Sequence, residues 1–171
     1  MKTLASFALA LLPLSAYAAD VPKHFEPVAF LAGSCWSGTF PDGKAIDTHC
    51  YEWVWDGAHL RDTHEVTGEG PPYRGETLIS WDSEAQRLAF RYFNSLGGVS
   101  EGHFATGPDG IRSPEERYRD EDGEQVFRST LVPVDADRYR ARTEELKDGD
   151  WREAWTIEFR RIGAAQADAT R

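Results

Sequence analysis

Imidazole is the side chain whose charge changes nearest neutral pH and the commonest metal ligand, so chemistry in this chain is sought first among its five histidines. His49 and His64 flank the dipeptide Asp56-Gly57 symmetrically, and Tyr51 and Asp62 stand two residues inside them. Were the flanking segments paired strands, His49 would face His64 and Tyr51 would face Asp62. Such a patch could work as general acid and base, ligate a metal or a haem iron, or orient the polar end of a small molecule. Zinc usually takes three protein ligands, and the sequence identifies no third. His103 supplies one only if closure of the fold brings it near, His59 falls on the opposite face from His64, and His24 precedes the paired region. The weightier reading has both histidines hydrogen-bonded with Asp47 or Asp62 in a wet interior. There is no Gly-x-Ser-x-Gly elbow and no His-Glu-x-x-His, and Gly68–Gly75 carries two prolines and no following helix, so it is a turn and not a phosphate cradle. No catalytic residue and no cofactor is predicted, with haem or metal confined to His49 and His64 as the alternative.

The elements that must hold these residues are strands. Turn chemistry recurs at Asp42-Gly43, Asp56-Gly57, Gly68 to Pro72, Asp82 to Glu84, Ser95 to Gly98, Gly107 to Gly110, Asp120 to Gly123, Val134 to Asp137 and Asp148-Gly149, about every 13 residues. Between the turns the sequence alternates and is rich in aromatic and β-branched residues. Nine turns delimit about ten strands. The sole helical candidate is residues 22–32, with Pro22 near its start and Gly33 past its end. Short sequential hairpins form a meander, and a long meander removes its exposed edges by closing. The expected fold is all-β, an up-and-down antiparallel barrel with a short N-terminal helical turn.

Asp-Gly favours a type I′ turn, with positive φ at both central residues. Such a turn at Asp42-Gly43 pairs Cys35 with Cys50, as a hydrogen-bonded pair with Cα atoms about 5.5 Å apart, within reach of a disulfide. The same turn at Asp56-Gly57 pairs Glu52 with Arg61 and Trp53 with Leu60. One face of the first three strands then carries Ser34, Trp36, Gly38, Phe40, Asp47, His49, Tyr51, Trp53, Trp55, Leu60, Asp62, His64 and Val66, read as the interior. The other carries Cys35, Thr48, Cys50, Glu52, Arg61 and Glu65. A bulge in the second strand would scramble these faces. Further along, Asp122-Gly123 pairs Tyr118 with Phe127, and Asp148-Gly149 pairs Leu146 with Trp151 and Glu145 with Arg152. Phe90, Tyr92, Phe104, Trp81, Trp151, Trp155, Ile157 and Phe159 are further lining or core candidates.

Residues 1–18 read as a signal peptide: charged Lys2, a short apolar run and the small-x-small end Ala16-Tyr17-Ala18. The run is too short for a transmembrane anchor. Its removal makes the formal charge of -10 one unit more negative, which repels nucleic acid and anionic membranes. Residues 19–33 form an N-terminal segment with the short helix, residues 34–161 the barrel, and residues 162–171 a disordered tail. An exported chain with two cysteines points to a structural disulfide, in the bacterial periplasm or after secretion.

Phe30-Leu31-Ala32-Gly33 leading to Trp36-Ser37-Gly38, Glu52-Trp53 with Asp56-Gly57 and Leu60-Arg61, Gly75-Glu76-Thr77-Leu78 with Trp81-Asp82, and Tyr92-Phe93-Asn94-Ser95 with Gly97-Gly98 and Ser100-Glu101-Gly102 resemble one group. It is the secreted bacterial calycin-like proteins, a domain of unknown function similar to lipocalins and fatty-acid-binding proteins. The resemblance covers about residues 28–161 and implies a lipocalin-like barrel and periplasmic placement. Lipocalins open with Gly-x-Trp, where Trp closes one end of the barrel; here Ser34 and Cys35 separate Gly33 from Trp36. On the residues alone, the leading expectation is a binding module in which Trp36, Tyr51, Trp53, Trp55 and Tyr92 enclose a small apolar or amphipathic ligand while His49, Asp62 and His64 orient its polar end. A barrel filled by its own side chains, serving structure or protein interaction, is the third reading.

Overall fold

The computed structural model describes residues 21–107 and 110–165. Ten strands run β1 Ser34–Thr39, β2 Ala45–Val54, β3 His59–Gly68, β4 Tyr73–Asp82, β5 Arg87–Asn94, β6 Val99–Gly107, β7 Gly110–Asp120, β8 Gly123–Asp135, β9 Arg138–Lys147 and β10 Asp150–Ala164. Every neighbour in sequence is an antiparallel neighbour in space, and β1 closes on β10, so the sheet is an up-and-down barrel with no free edge. The last strand reaches Ala164, three residues past the boundary expected from sequence. The expected signal peptide and most of the expected tail lie outside the described residues.

The hairpin registers hold through the first three strands: Trp36 pairs with His49, His49 with His64, Tyr51 with Asp62 and Trp53 with Leu60. β2 has no bulge, so its two faces stay separate. Cys35 and Cys50 are opposite one another and disulfide-bonded, with Cα atoms 4.1 Å apart. That is closer than expected, and the cause is the turn. Pro41 has no N–H to give the tight I′ pair. The chain instead turns at Phe40–Gly43 with only Gly43 left-handed, and Phe40 N–H donates to Ala45. This moves the hydrogen-bonding phase by one residue, and Cys35–Cys50 becomes a closely spaced pair.

Other expectations change. Residues 23–28 form a 3₁₀ helix containing Pro27, and the chain beyond it turns without extending an α-helix to residue 32. Asp120 pairs with Gly123, so Glu121-Asp122 is the turn; Tyr118 faces Gln125 and Phe127 faces Glu116. The rings of Tyr118 and Phe127 still meet diagonally, 6.5 Å apart. Trp55, assigned to the interior, is 69% exposed. The Asp56-Gly57 turn is left-handed at both central residues as expected, but Trp55 itself adopts φ 50°, which takes its side chain out of the alternation. It packs edge-on against His59 on the outside.

The 3₁₀ helix closes one end of the barrel. Phe25 and Val28 are fully buried there, together with Leu31, Trp36 and Leu60. Each large apolar side chain buried in this way contributes about 1.5–3 kcal/mol. Trp53 meets Phe25 edge-on at 5.2 Å. Trp36 donates its indole N–H to the Leu31 carbonyl at 3.2 Å, and the Arg161 guanidinium lies over its ring at 4.3 Å. Trp36 and Trp53, expected among the lining residues, therefore belong to the plug. At the other end the turns at residues 40–44, 69–72, 95–98, 121–122 and 148–149 leave a mouth.

Candidate functional site

Inside the barrel is a cavity of about 550 Å³. Its walls are mostly aromatic and aliphatic, with Phe40, Tyr73, Tyr118, Phe127 and Trp155 toward the mouth and Tyr51, Ile79, Phe90, Tyr139, Ile157 and Phe159 deeper. A bulge between Glu153 and Trp155 changes the face of β10. It leaves Trp151 outside under Arg128 and turns Trp155 inward against Phe40 and Phe127.

One wall carries a chain of hydrogen bonds built from alternate residues of β2, β3, β4 and β5. Asp62 Oδ2 is 2.8 Å from His49 Nδ1, and Asp47 Oδ2 is 3.0 Å from His49 Nε2. Asp47 Oδ1 is 3.0 Å from His64 Nδ1, and His64 Nε2 is 3.0 Å from the Tyr92 hydroxyl, which in turn meets the Tyr73 hydroxyl. Carboxylates accept, so the imidazole nitrogens that face them donate. His49 donates from both nitrogens and is an imidazolium. His64 donates from Nδ1 to Asp47, and its Nε2 continues the chain through the Tyr92 and Tyr73 hydroxyls. Burial alone would lower His49, but Asp62 and Asp47 overcome it and raise its pKa from 6.5 to about 10. Burial would likewise push Asp47 up, yet the hydrogen bonds from His49 and His64 hold it well below the ordinary carboxylate range. Burial pushes the Tyr51, Tyr92 and Tyr139 phenols up, so all three stay protonated.

Gly75 makes the far end of this chain possible. It faces His64 across the β3–β4 ladder, and a methyl group at its Cα would overlap both the His64 ring and the Tyr92 hydroxyl. On the β6–β7 wall, the Ser100 hydroxyl donates to Glu116 at 2.6 Å. Burial raises the pKa of Glu116, against that hydrogen bond. Ser113 lies one bulge away along β7. Among the described residues, two buried side-chain polar atoms have no hydrogen-bond partner, Asp62 Oδ1 and Ser113 Oγ, and both residues line the cavity.

The third member of the histidine patch is thus Asp47, on the inner face of β2, and not His103, which lines an outer groove beside Arg87 and Glu115. Ligand atoms of Asp47, His49 and His64 lie within 4.8 Å of one another. The two imidazole rings are stacked 15° from parallel with centroids 4.7 Å apart. In-plane lone pairs on such rings do not converge on one ion. Binding a metal or haem iron through both would require a ring to rotate out of its hydrogen bonds and His49 to lose a proton.

Of the expected site residues, the fold brings His49, Tyr51, Asp62, His64 and Tyr92 to the cavity wall; Trp36 and Trp53 go to the plug and Trp55 to the surface. Sequence reading missed Tyr73, Ser113, Glu116 and Tyr139 as site residues. For Tyr73 a signal was present, since extending the inner row Gly38, Asp47, Val66 by one strand reaches it, but the Gly68–Pro72 loop hides the register. Bulges at residues 102–105 and 113–116 hid Glu116.

Fold and site together define a ten-stranded up-and-down β-barrel with one plugged end and a polar relay on an aromatic wall. No known protein family and no curated protein matches this chain. Among the described residues no helix is long and apolar enough to cross a membrane. The Cys35–Cys50 disulfide fits an oxidising compartment.

Proposed function

We propose that this protein is a periplasmic or secreted calycin-like binding protein that holds a small, mainly apolar molecule in its barrel. One observation carries the reading: the two buried polar atoms that lack partners, on β3 and on β7, both belong to the wall of the same cavity. An unpaired buried polar atom costs about 1–3 kcal/mol, and a side-chain rotation that brings these atoms to a molecule in the cavity recovers that cost. The volume of about 550 Å³ is within the ordinary range for small-molecule sites. The aromatic walls supply the apolar contact and the relay supplies orientation.

Titration with the neutral fluorophore N-phenyl-1-naphthylamine tests the reading. Wild-type protein should enhance its emission saturably at one site per chain. Ala141→Phe, which fills the lining beside Ile157 and Leu131, should reduce that affinity at least tenfold while the far-ultraviolet circular dichroism is unchanged. Absence of binding by wild type, or undiminished binding by A141F, overturns the proposal.

A further inference from the structure

We infer that the ligand's polar end is a cation, an amine on a compact apolar body, bound between Asp62 and the aromatic wall; this rests on the cavity being a binding site. The first ground is the inventory of charge. Asp47, Asp62 and Glu116 line the cavity, and no lysine or arginine does. His49 is an imidazolium among them, and both its N–H groups are already given to Asp62 and Asp47. The cavity wall thus carries three carboxyl groups and no lysine or arginine.

The second ground is independent of that count. Asp62 is 5% exposed, and its Oδ1 has no hydrogen-bond partner although the residue lines the cavity. A carboxylate oxygen accepts and cannot donate, so its missing partner must bring an N–H or O–H. An ammonium brings both a donor and a positive charge. Bonds of this charge-assisted kind are the stronger ones. The third ground is the wall. Tyr51, Phe159 and Tyr139 line the same deep part of the cavity, with His49 stacked on Tyr51 and edge-on to Phe159. Aromatic faces attract cations, more strongly where water is excluded. A carboxylate or phosphate ligand would meet three acidic side chains and no lysine or arginine. A single unpartnered carboxylate oxygen in a mainly apolar cavity fits a monoamine better than a polyamine.

A matched series separates this inference from the cavity reading. Binding of 2-(1-naphthyl)ethylamine, 2-(1-naphthyl)ethanol and 1-naphthylacetate to the purified protein is measured by calorimetry at pH 7. The alcohol reports the cavity irrespective of charge. The amine should bind at least tenfold more tightly than the alcohol, and the carboxylate more weakly than both. Asp62→Asn, which keeps the side-chain shape, should bring the amine to within threefold of the alcohol, both still binding. Alcohol or carboxylate binding as tight as the amine overturns the cation and leaves the cavity reading standing. An undiminished amine preference in D62N overturns the role of Asp62. No binding by any of the three overturns both. The wild-type series decides the sign of the charge even if D62N fails to fold.

Discussion

Raising the pH should destabilise this protein through His49. Its folded pKa, about 10 against 6.5 unfolded, means that the stability it contributes is complete below about pH 6.5 and is lost as pH rises toward 10. Between those values unfolding releases one proton, and stability falls by about 1.4 kcal/mol per pH unit. Across the whole interval the loss approaches 5 kcal/mol, and between pH 7 and 9, before lysines and exposed tyrosines titrate, it is about 3 kcal/mol. That is a large share of the 5–15 kcal/mol typical of a domain. Urea denaturation at half-unit steps from pH 6 to 9 measures the slope. His49→Gln should start about 3–5 kcal/mol less stable at pH 7, because it leaves Asp47 and Asp62 charged without their shared cation, and should show little slope of its own. A flat wild-type profile, or the same slope in H49Q, would refute the assignment of an imidazolium held between two carboxylates.

On the acid side the sign reverses. Asp47 contributes stability that is complete above its ordinary value of 3.8 and is lost as pH falls through its depressed folded value, so Asp47→Asn should cost stability at pH 6 and progressively less below pH 4, read from acid denaturation midpoints. Gly75→Ala should cost about 1–3 kcal/mol by parting His64 from Tyr92, and in Tyr92→Phe the same substitution should cost less; equal costs in both backgrounds would separate Gly75 from the relay. Reduction of Cys35–Cys50, which are 15 residues apart, should lower stability by about 3 kcal/mol, measured by urea denaturation with and without a thiol reductant. Trp155 lines the cavity and Trp55 lies outside, so replacing Trp155 by Phe should remove most ligand-induced quenching of intrinsic fluorescence, whereas Trp55→Phe should leave it intact.

Much of the relay was legible because strand pairing near a short turn is arithmetic. Side chains alternate faces with period two, and the flanks of Asp56-Gly57 put His49 opposite His64 and Tyr51 opposite Asp62 whatever the rest of the chain does. The Asp42-Gly43 hairpin put Cys35 opposite Cys50 in the same way. Its phase was misjudged because Pro41 cannot donate, a fact of the sequence whose effect appears only when the backbone bonds are placed. Away from these hairpins the arithmetic fails wherever one extra residue enters a ladder. The bulges in β6, β7 and β10 decide that Glu116 and Trp155 face the cavity and that Trp151 does not.

By itself, then, the sequence determined the strand number, the disulfide and the local faces of the first three strands, all consequences of turns and alternation within a few tens of residues. Tertiary structure alone decided which end is plugged, that Trp36 and Trp53 serve that plug, and that Gly75 opens the space in which Tyr92 reaches His64. It alone also decided that Asp62 and Ser113, far apart in the chain, line one cavity and each carry a buried unpaired atom. These depend on closure of β1 against β10 and on the shear of the closed barrel, which couple every strand to every other and leave no mark in any single stretch of residues.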